Sequence, residues 1–202
     1  MSVPGGSAAR GDRGGGFRVL LGLTALMWTV EVVDSLDSHR LDRDGIVPRS
    51  VSHLYGIVLA PFLHANFGHL IANTVPFVIL GAVIAFAGAR RLLGVAAVVA
   101  LTSGLGTWLT ASGGSVTIGA SGVVFGFATY LISRGFLDRR VVELAVGVVV
   151  AVLFGGALLW SLLPRSDISW QAHLFGAIGG VLVARMLAPQ RPAPPHRWHL
   201  AR

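Results

Sequence analysis

Cysteine and lysine are both absent from this chain of 202 residues. Without cysteine there is no disulfide, no thiolate nucleophile and no cysteine-ligated metal. Without lysine, all 16 basic residues are arginines, a bias that reads as the mark of a GC-rich genome and carries no mechanism. Charge is scarce altogether: Asp, Glu, Lys and Arg make up 12% of the residues, where soluble domains carry about 25%. Apolar residues make up 53%, with a mean hydropathy of +0.72. This is the composition of a polytopic membrane protein, and the length suits one helical bundle with no second domain. A net charge of +7 and a pI near 11.5 would fit a nucleic-acid binder. The arginines, however, are scattered through short polar segments with no basic stripe or aromatic platform, so no nucleic-acid partner is expected.

Six apolar stretches stand out, at 17–33, 69–88, 92–111, 121–133, 141–163 and 168–187. A helix needs about 20 residues to cross a hydrocarbon core of ~30 Å, and all but the fourth come near that length. Arg134 is expected to close the short fourth stretch. The stretch from Phe17 lacks an A-x-A cleavage pattern and is followed by further spans, so it reads as a first transmembrane helix and not a signal peptide. Residues 1–16 are Gly-rich and polar, and residues 188–202 hold four prolines and three arginines. Both ends are expected to be disordered tails. The expected fold is therefore an all-α bundle of six transmembrane helices over residues 17–187, with a long outer loop between the first two.

Arginine placement sets the orientation. With the N-terminus inside, Arg10, Arg13, Arg18, Arg90, Arg91, Arg134, Arg139, Arg140, Arg185, Arg191, Arg197 and Arg202 fall on the inner side, and Arg40, Arg43, Arg49 and Arg165 outside. Both termini are expected to be cytoplasmic. Residues 34–68 then form the outer loop, acidic at its start (Asp34, Asp37, Asp42, Asp44) and apolar from Tyr55 to Leu63. The apolar half is expected to lie in the membrane interface as a short helix or hairpin.

Two polar residues interrupt the apolar stretches where they matter most. Gly119-Ala120-Ser121-Gly122 opens the fourth, and His173 sits inside the sixth. A serine and a histidine are the minimum for nucleophilic acyl chemistry, and an ionisable side chain at membrane depth is a functional-site hypothesis by default. Ser121 lies roughly 20 Å above Arg134, and His173 roughly 18 Å above Arg185, at ~1.5 Å per helical residue. Both thus sit about 10 Å below the outer edge of a ~30 Å core. Gly122 with Gly126, and Gly176 with Gly180, form small-xxx-small patterns that let the two helices approach closely. Glu31 and Glu143 lie near the ends of their spans, and Asp167 in the outer loop could only approach from above. The expectation is a dyad, not a triad. The G-x-S-x-G elbow of α/β-hydrolases does not apply, because Val123 occupies its last position.

His69 and Asn73, four apart at the start of the second stretch, share one helical face. A histidine and an amide aimed at one point suit an oxyanion hole; the plainer readings are an interfacial histidine and an inter-helix amide hydrogen bond. No H-E-x-x-H or acidic ligand accompanies these histidines, so no metal or other cofactor is expected. Residues 111–120, rich in Gly and Ser, must descend into the bundle to reach Ser121. Irregular backbone at that depth is tolerated only beside protein or a wet cavity. A cavity open to the outside is therefore expected, lined by His69, Asn73, Ser121 and His173.

In these motifs the chain resembles the rhomboid family of intramembrane serine proteases. The matching residues are the H-x4-H-x3-N of His64, His69 and Asn73, the G-x-S-G of Gly119–Gly122, and the A-H-x2-G-x3-G of Ala172, His173, Gly176 and Gly180. The resemblance implies Ser121 as nucleophile and His173 as general base and acid. It implies an oxyanion hole of His69, Asn73 and the Ser121 N–H. It gives supporting places to His64, Gly119, Gly122, Phe125, Gly176 and Gly180: His64 under the outer loop or its water site, and Phe125 against the histidine, where many bacterial members carry tyrosine. Many members also carry a Trp-Arg pair in the first loop, for which Pro48-Arg49 is the nearest counterpart here. The implied substrates are single-span membrane proteins in the lipid bilayer, cut near the outer face and entering laterally past the fifth span and the loop around Pro164–Asp167. A bacterial plasma membrane is the expected location. Two other classes compete. The intact Ser121–His173 pair argues against a non-catalytic relative that binds membrane proteins, and the lack of paired charges at mid-depth argues against a small transporter.

Overall fold

A computed structural model describes residues 6–138, 140–164 and 168–188 and is all-helical, with no β-strand among those residues. The long apolar runs become α1 (Gly6–Leu36), α3 (Phe67–Ala85), α4 (Ala89–Thr110), α5 (Ser121–Asp138), α6 (Val141–Trp160) and α7 (Trp170–Met186). A single turn, α2 (Gly56–Leu59), and short 3-10 turns at 41–44, 51–53 and 60–62 fill the loop between α1 and α3. Four helices are long and apolar enough to cross a membrane: α1 from Arg13 onward, α3, α4 and α6. Their outward faces expose Leu21, Ile79, Leu101, Val152 and Leu153, among others, an apolar surface too extensive for contact with water. The chain is an integral membrane protein.

The helices α5 and α7 are shorter, at 18 and 17 residues, and pack more extensively on each other than any other pair. Glycine makes this possible. A Cβ at Gly176 would run into the carbonyl oxygen of Gly122, and one at Gly180 into that of Gly126. The pairs are in register, each one turn further along both helices, so the two backbones run parallel and touch. Thr129 reinforces the seam, its hydroxyl donating to the Ala177 carbonyl at 2.9 Å. On the far side of α5, Phe127 stacks on Phe77 of α3 with ring centroids 5.5 Å apart. Leu80, Val95, Val99 and Tyr130 complete a fully buried core around them.

The structure departs from the sequence reading at the helix ends. The first helix begins at Gly6, not Phe17, and takes in residues 6–16 of the expected tail. Gly16 shows why a Gly-rich stretch is used there: a Cβ would strike the Ala85 carbonyl, so its absence lets α1 pass tightly beneath the end of α3. Arg134 does not close the fourth span. The helix runs on to Asp138, because Asp138 at 2.7 Å and Glu143 at 3.1 Å neutralise the guanidinium. The fifth span ends early, at Trp160. The apolar half of the outer loop takes the short-helix form, as α2 and the adjoining 3-10 turns. Residues 1–5 and 189–202, assigned to the tails, lie outside the described residues.

Close backbone contact makes the seam intolerant of added volume. Gly176→Ala and Gly180→Val are each expected to destabilise the protein by about 1–3 kcal/mol. A methyl group at Gly155 on α6 would meet nothing within 4 Å, so Gly155→Ala is expected to be neutral or stabilising. Thermal unfolding of the detergent-purified protein checks both.

Candidate active site

The first turns of α3, α5 and α7 meet at one point. Side-chain caps start two of these helices: Asn66 accepts from the His69 N–H at 2.9 Å, and the Ser169 hydroxyl accepts from the Ala172 N–H at 3.4 Å. Each satisfies a backbone donor that the first turn leaves free, and each fixes the turn carrying a site histidine. Ser121 is the first residue of α5. With the α5–α7 register set by glycine, its Oγ lies 2.9 Å from Nε2 of His173.

The other ring nitrogen of His173 identifies the tautomer. Nδ1 lies 3.1 Å from the carbonyl oxygen of Ser161, at the end of α6. A carbonyl can only accept, so Nδ1 carries the proton and Nε2 presents its lone pair to the serine hydroxyl. Phe125, one turn after Ser121, lies flat against the imidazole, with centroids 4.1 Å apart and planes 7° from parallel. Ring, carbonyl and hydroxyl together hold His173, which is 6% exposed. Ser103 supports the same turn from α4, its buried hydroxyl donating to the Ala172 carbonyl at 2.8 Å.

His69 and Asn73 face the same space. The Asn73 side-chain amide donates to the His69 carbonyl at 3.0 Å, which uses one of its two N–H bonds and leaves the other free. Gly119 lets the loop pass over both. Its φ of +110° suits only glycine, and a Cβ there would lie 2.8 Å from the His69 ring. Its N–H is tied to the Ala60 carbonyl at 2.8 Å, linking the outer loop to the segment that delivers Ser121. His64 sits behind His69, fully buried and edge-on to it at 5.1 Å. Burial, with His69 adding to it, pushes the His64 pKa down to about 4, so this imidazole is neutral at physiological pH.

A cavity of about 570 Å³ is lined by His69, Asn73, Ser121, Phe125 and His173 on one side and by Leu153, Ala157 and Ser161 of α6 on the other. Above it lies a second, more polar cavity of about 540 Å³ that shares His69 and Ser169 and is walled by Ser115, Thr117 and Gln171. The two cavities meet at His69, Ile118, Ile168 and Ser169, which line both. The first-turn N–H groups of α5 have no helical acceptors, and the positive end of the helix dipole lies there. A hydroxyl paired to a base, beside an amide, an imidazole and free N–H donors, is an arrangement able to attack a carbonyl and hold the resulting oxyanion.

Three supports had little or no sequence signal. The Ser161 contact is made by backbone, which leaves no trace in side-chain identity. Ser103 is a lone serine in an apolar helix, a common residue in that setting. Arg49, with a left-handed φ of 59°, donates to the Ala111 carbonyl at 2.7 Å, while Trp108 donates to the Ser50 carbonyl at 3.1 Å. The loop is thus anchored by a tryptophan and an arginine that are distant in sequence, where the sequence alone offers only Pro48-Arg49 as a marker. Asp167 lies outside the described residues.

Comparison with known proteins places the family. The family model of the Rhomboid domain matches residues 51–190. An uncharacterized protein of Mycobacterium tuberculosis is 40% identical over 187 residues, covering 88% of this chain and 78% of its own. One from Mycobacterium leprae is 42% identical over 181 residues, covering 85% and 72%. The Bacillus subtilis protein YdcA, provisionally named a rhomboid protease, is 31% identical over 173 residues, covering 82% and 84%.

The flat Phe125–His173 contact has a measurable consequence. Phe125→Ala is expected to slow fluorophosphonate labelling of Ser121 about tenfold, the size of a good aromatic stack. Phe125→Tyr keeps the ring and is expected to stay within about twofold of wild type.

Proposed function

The chain belongs to the rhomboid family, and from that premise we propose that it is an intramembrane serine endopeptidase working through a Ser121–His173 dyad. The observation that carries the proposal is the 2.9 Å hydrogen bond between Ser121 and a His173 whose other nitrogen is committed to a carbonyl. Ser121 Oγ attacks the scissile carbonyl and its proton passes to Nε2. The oxyanion accepts from His69, Asn73 and the Ser121 N–H. The protonated Nε2 then donates to the leaving amine, and the acyl-enzyme remains. Water entering through the cavities gives a proton to Nε2 as its oxygen attacks the ester; Nε2 then returns that proton to Ser121 Oγ as the acyl C–O bond breaks, releasing the second product as the acid and restoring the dyad. Throughout, the Ser161 carbonyl accepts from Nδ1–H and favours the imidazolium when it forms.

The six helices α1 and α3–α7 are proposed to span a bacterial plasma membrane, with both termini cytoplasmic. Bacterial relatives and the bias of arginine toward one side support this. The substrates are proposed to be transmembrane segments of membrane proteins, cut near the outer face. They would enter between α3 and α6, whose residues Pro76 and Leu153 line opposite walls of the dyad cavity.

The decisive experiment incubates the purified protein in detergent with a generic transmembrane substrate. Wild type is expected to cleave it, and Ser121→Ala and His173→Ala each to lose about 10³-fold or more. Cleavage that persists in both variants, or is missing from wild type, refutes the dyad. Orientation has its own test, helped by the lack of native cysteine. Ser115→Cys is expected to react with an impermeant maleimide added outside intact cells, and Arg90→Cys only after permeabilisation.

A further inference from the structure

The outer loop carries a second group of ionisable side chains, apart from the dyad. After α1 ends at Leu36, Ser38 and His39 both take left-handed backbone, with φ of 60° and 56°. They turn the chain back on the helix, and the His39 N–H donates to the Asp34 carbonyl at 2.8 Å. The turn brings the imidazole over the Asp34 side chain, with Nδ1 3.6 Å from Oδ2. The 3-10 turn at 41–44 then brings in Asp42. One donor atom each from Asp34, His39 and Asp42 lies within 4.8 Å of the others.

A separate observation points to a ligand. Asp34 is 1% exposed. Its Oδ1 is fixed by the Leu41 N–H at 2.7 Å, while its Oδ2, on the side facing His39, is buried and has no hydrogen-bond donor among the described residues. Oδ1 of Asp42 is buried and unpartnered in the same way. One turn earlier on the same helix, Glu31 is fully buried with Oε2 unpartnered. Unpaired buried carboxylates are strongly unfavourable unless a cation or a proton meets them. Among the described residues, no arginine forms a salt bridge with Glu31, Asp34 or Asp42; Arg40 pairs with Asp37 instead.

We propose that Asp34, His39 and Asp42 bind a divalent transition-metal ion of the Zn²⁺ or Mn²⁺ type, which staples the outer loop to the end of α1. Two carboxylates and one imidazole form a mixed oxygen and nitrogen set. Such a set suits Zn²⁺ and Mn²⁺ better than Mg²⁺, which keeps to oxygen ligands. Ligands about 2.1 Å from one tetrahedral ion lie roughly 3.4 Å apart, close to the 3.6 Å between His39 and Asp34. The His39 side chain is 40% exposed, which leaves water access to the remaining coordination positions. The ion would also offset the negative charge that Glu31 adds beneath.

The test uses full-length protein in detergent, purified on a histidine-free tag and stripped with EDTA. Zn²⁺, Mn²⁺ or Mg²⁺ is added back alone, with thermal unfolding as one readout and loss of the free Mn²⁺ EPR signal as the other. Wild type is expected to bind about one Mn²⁺ per chain and to rise roughly 5 °C in unfolding midpoint with Zn²⁺ or Mn²⁺ but not Mg²⁺. Asp42→Asn and His39→Ala are each expected to lose both the bound ion and the rise. Should Asp42→Asn fail to fold, His39→Ala, at the exposed edge, carries the test. No binding by wild type, binding undiminished in the variants, or an equal response to Mg²⁺ overturns the proposal. None of these readouts depends on proteolysis, so this site and the dyad stand or fall separately.

Discussion

The contact on which the rest depends is the meeting of two bare backbones along α5 and α7. With glycine at Gly122, Gly126, Gly176 and Gly180, no side chain sets the helix separation, and the main chains themselves are the packing surface. This gives a stiffer register than interdigitated leucines, because carbonyl oxygens and Cα–H groups of one helix lie against those of the other. Ser121 and His173 sit at the N-terminal end of that seam, so their 2.9 Å separation is set by helices and not by loops. A site built on rigid elements holds the geometry a proton transfer needs.

The packing loosens along α6. Near its start, Gly147 lies against Leu131 and Ile132 of α5, and Gly135 of α5 against Glu143 and Leu144. Further out, Gly155 and Gly156 have open space beside them, and the dyad cavity opens along the same stretch. Pro76 in α3 also lines this cavity and, lacking an N–H, cannot donate to the Ala72 carbonyl. The loop from 41 to 62 is tied down through Arg49 and Trp108 to α4 and through Ala60 to Gly119.

Glycine made much of this architecture legible in the sequence: its four-residue spacing announced that α5 and α7 could touch. What escaped did so for physical reasons. Arg134 reads as a helix end because an unpaired charge cannot continue into hydrocarbon, yet Asp138 and Glu143 pair it. The support of His173 by Ser161 is a backbone carbonyl, which any residue could provide. The assembly of Asp34, His39 and Asp42 turns on left-handed backbone at two non-glycine residues, a choice that no spacing of side chains reveals. The early start of α1 is masked by glycine, which reads as flexibility where Gly16 serves close packing.

The bond from Nδ1 of His173 to a neutral carbonyl has one more consequence. With a carbonyl in the place that an aspartate would take in a triad, the resting Ser121–His173 pair carries no formal charge. Moving one elementary charge through the full transmembrane potential involves about 2.3 kcal/mol per 100 mV, and a buried carboxylate part-way across would feel a share of that field. The neutral pair offers that field no net charge at rest, so only its dipole couples to the membrane potential, more weakly than a carboxylate at the same depth would.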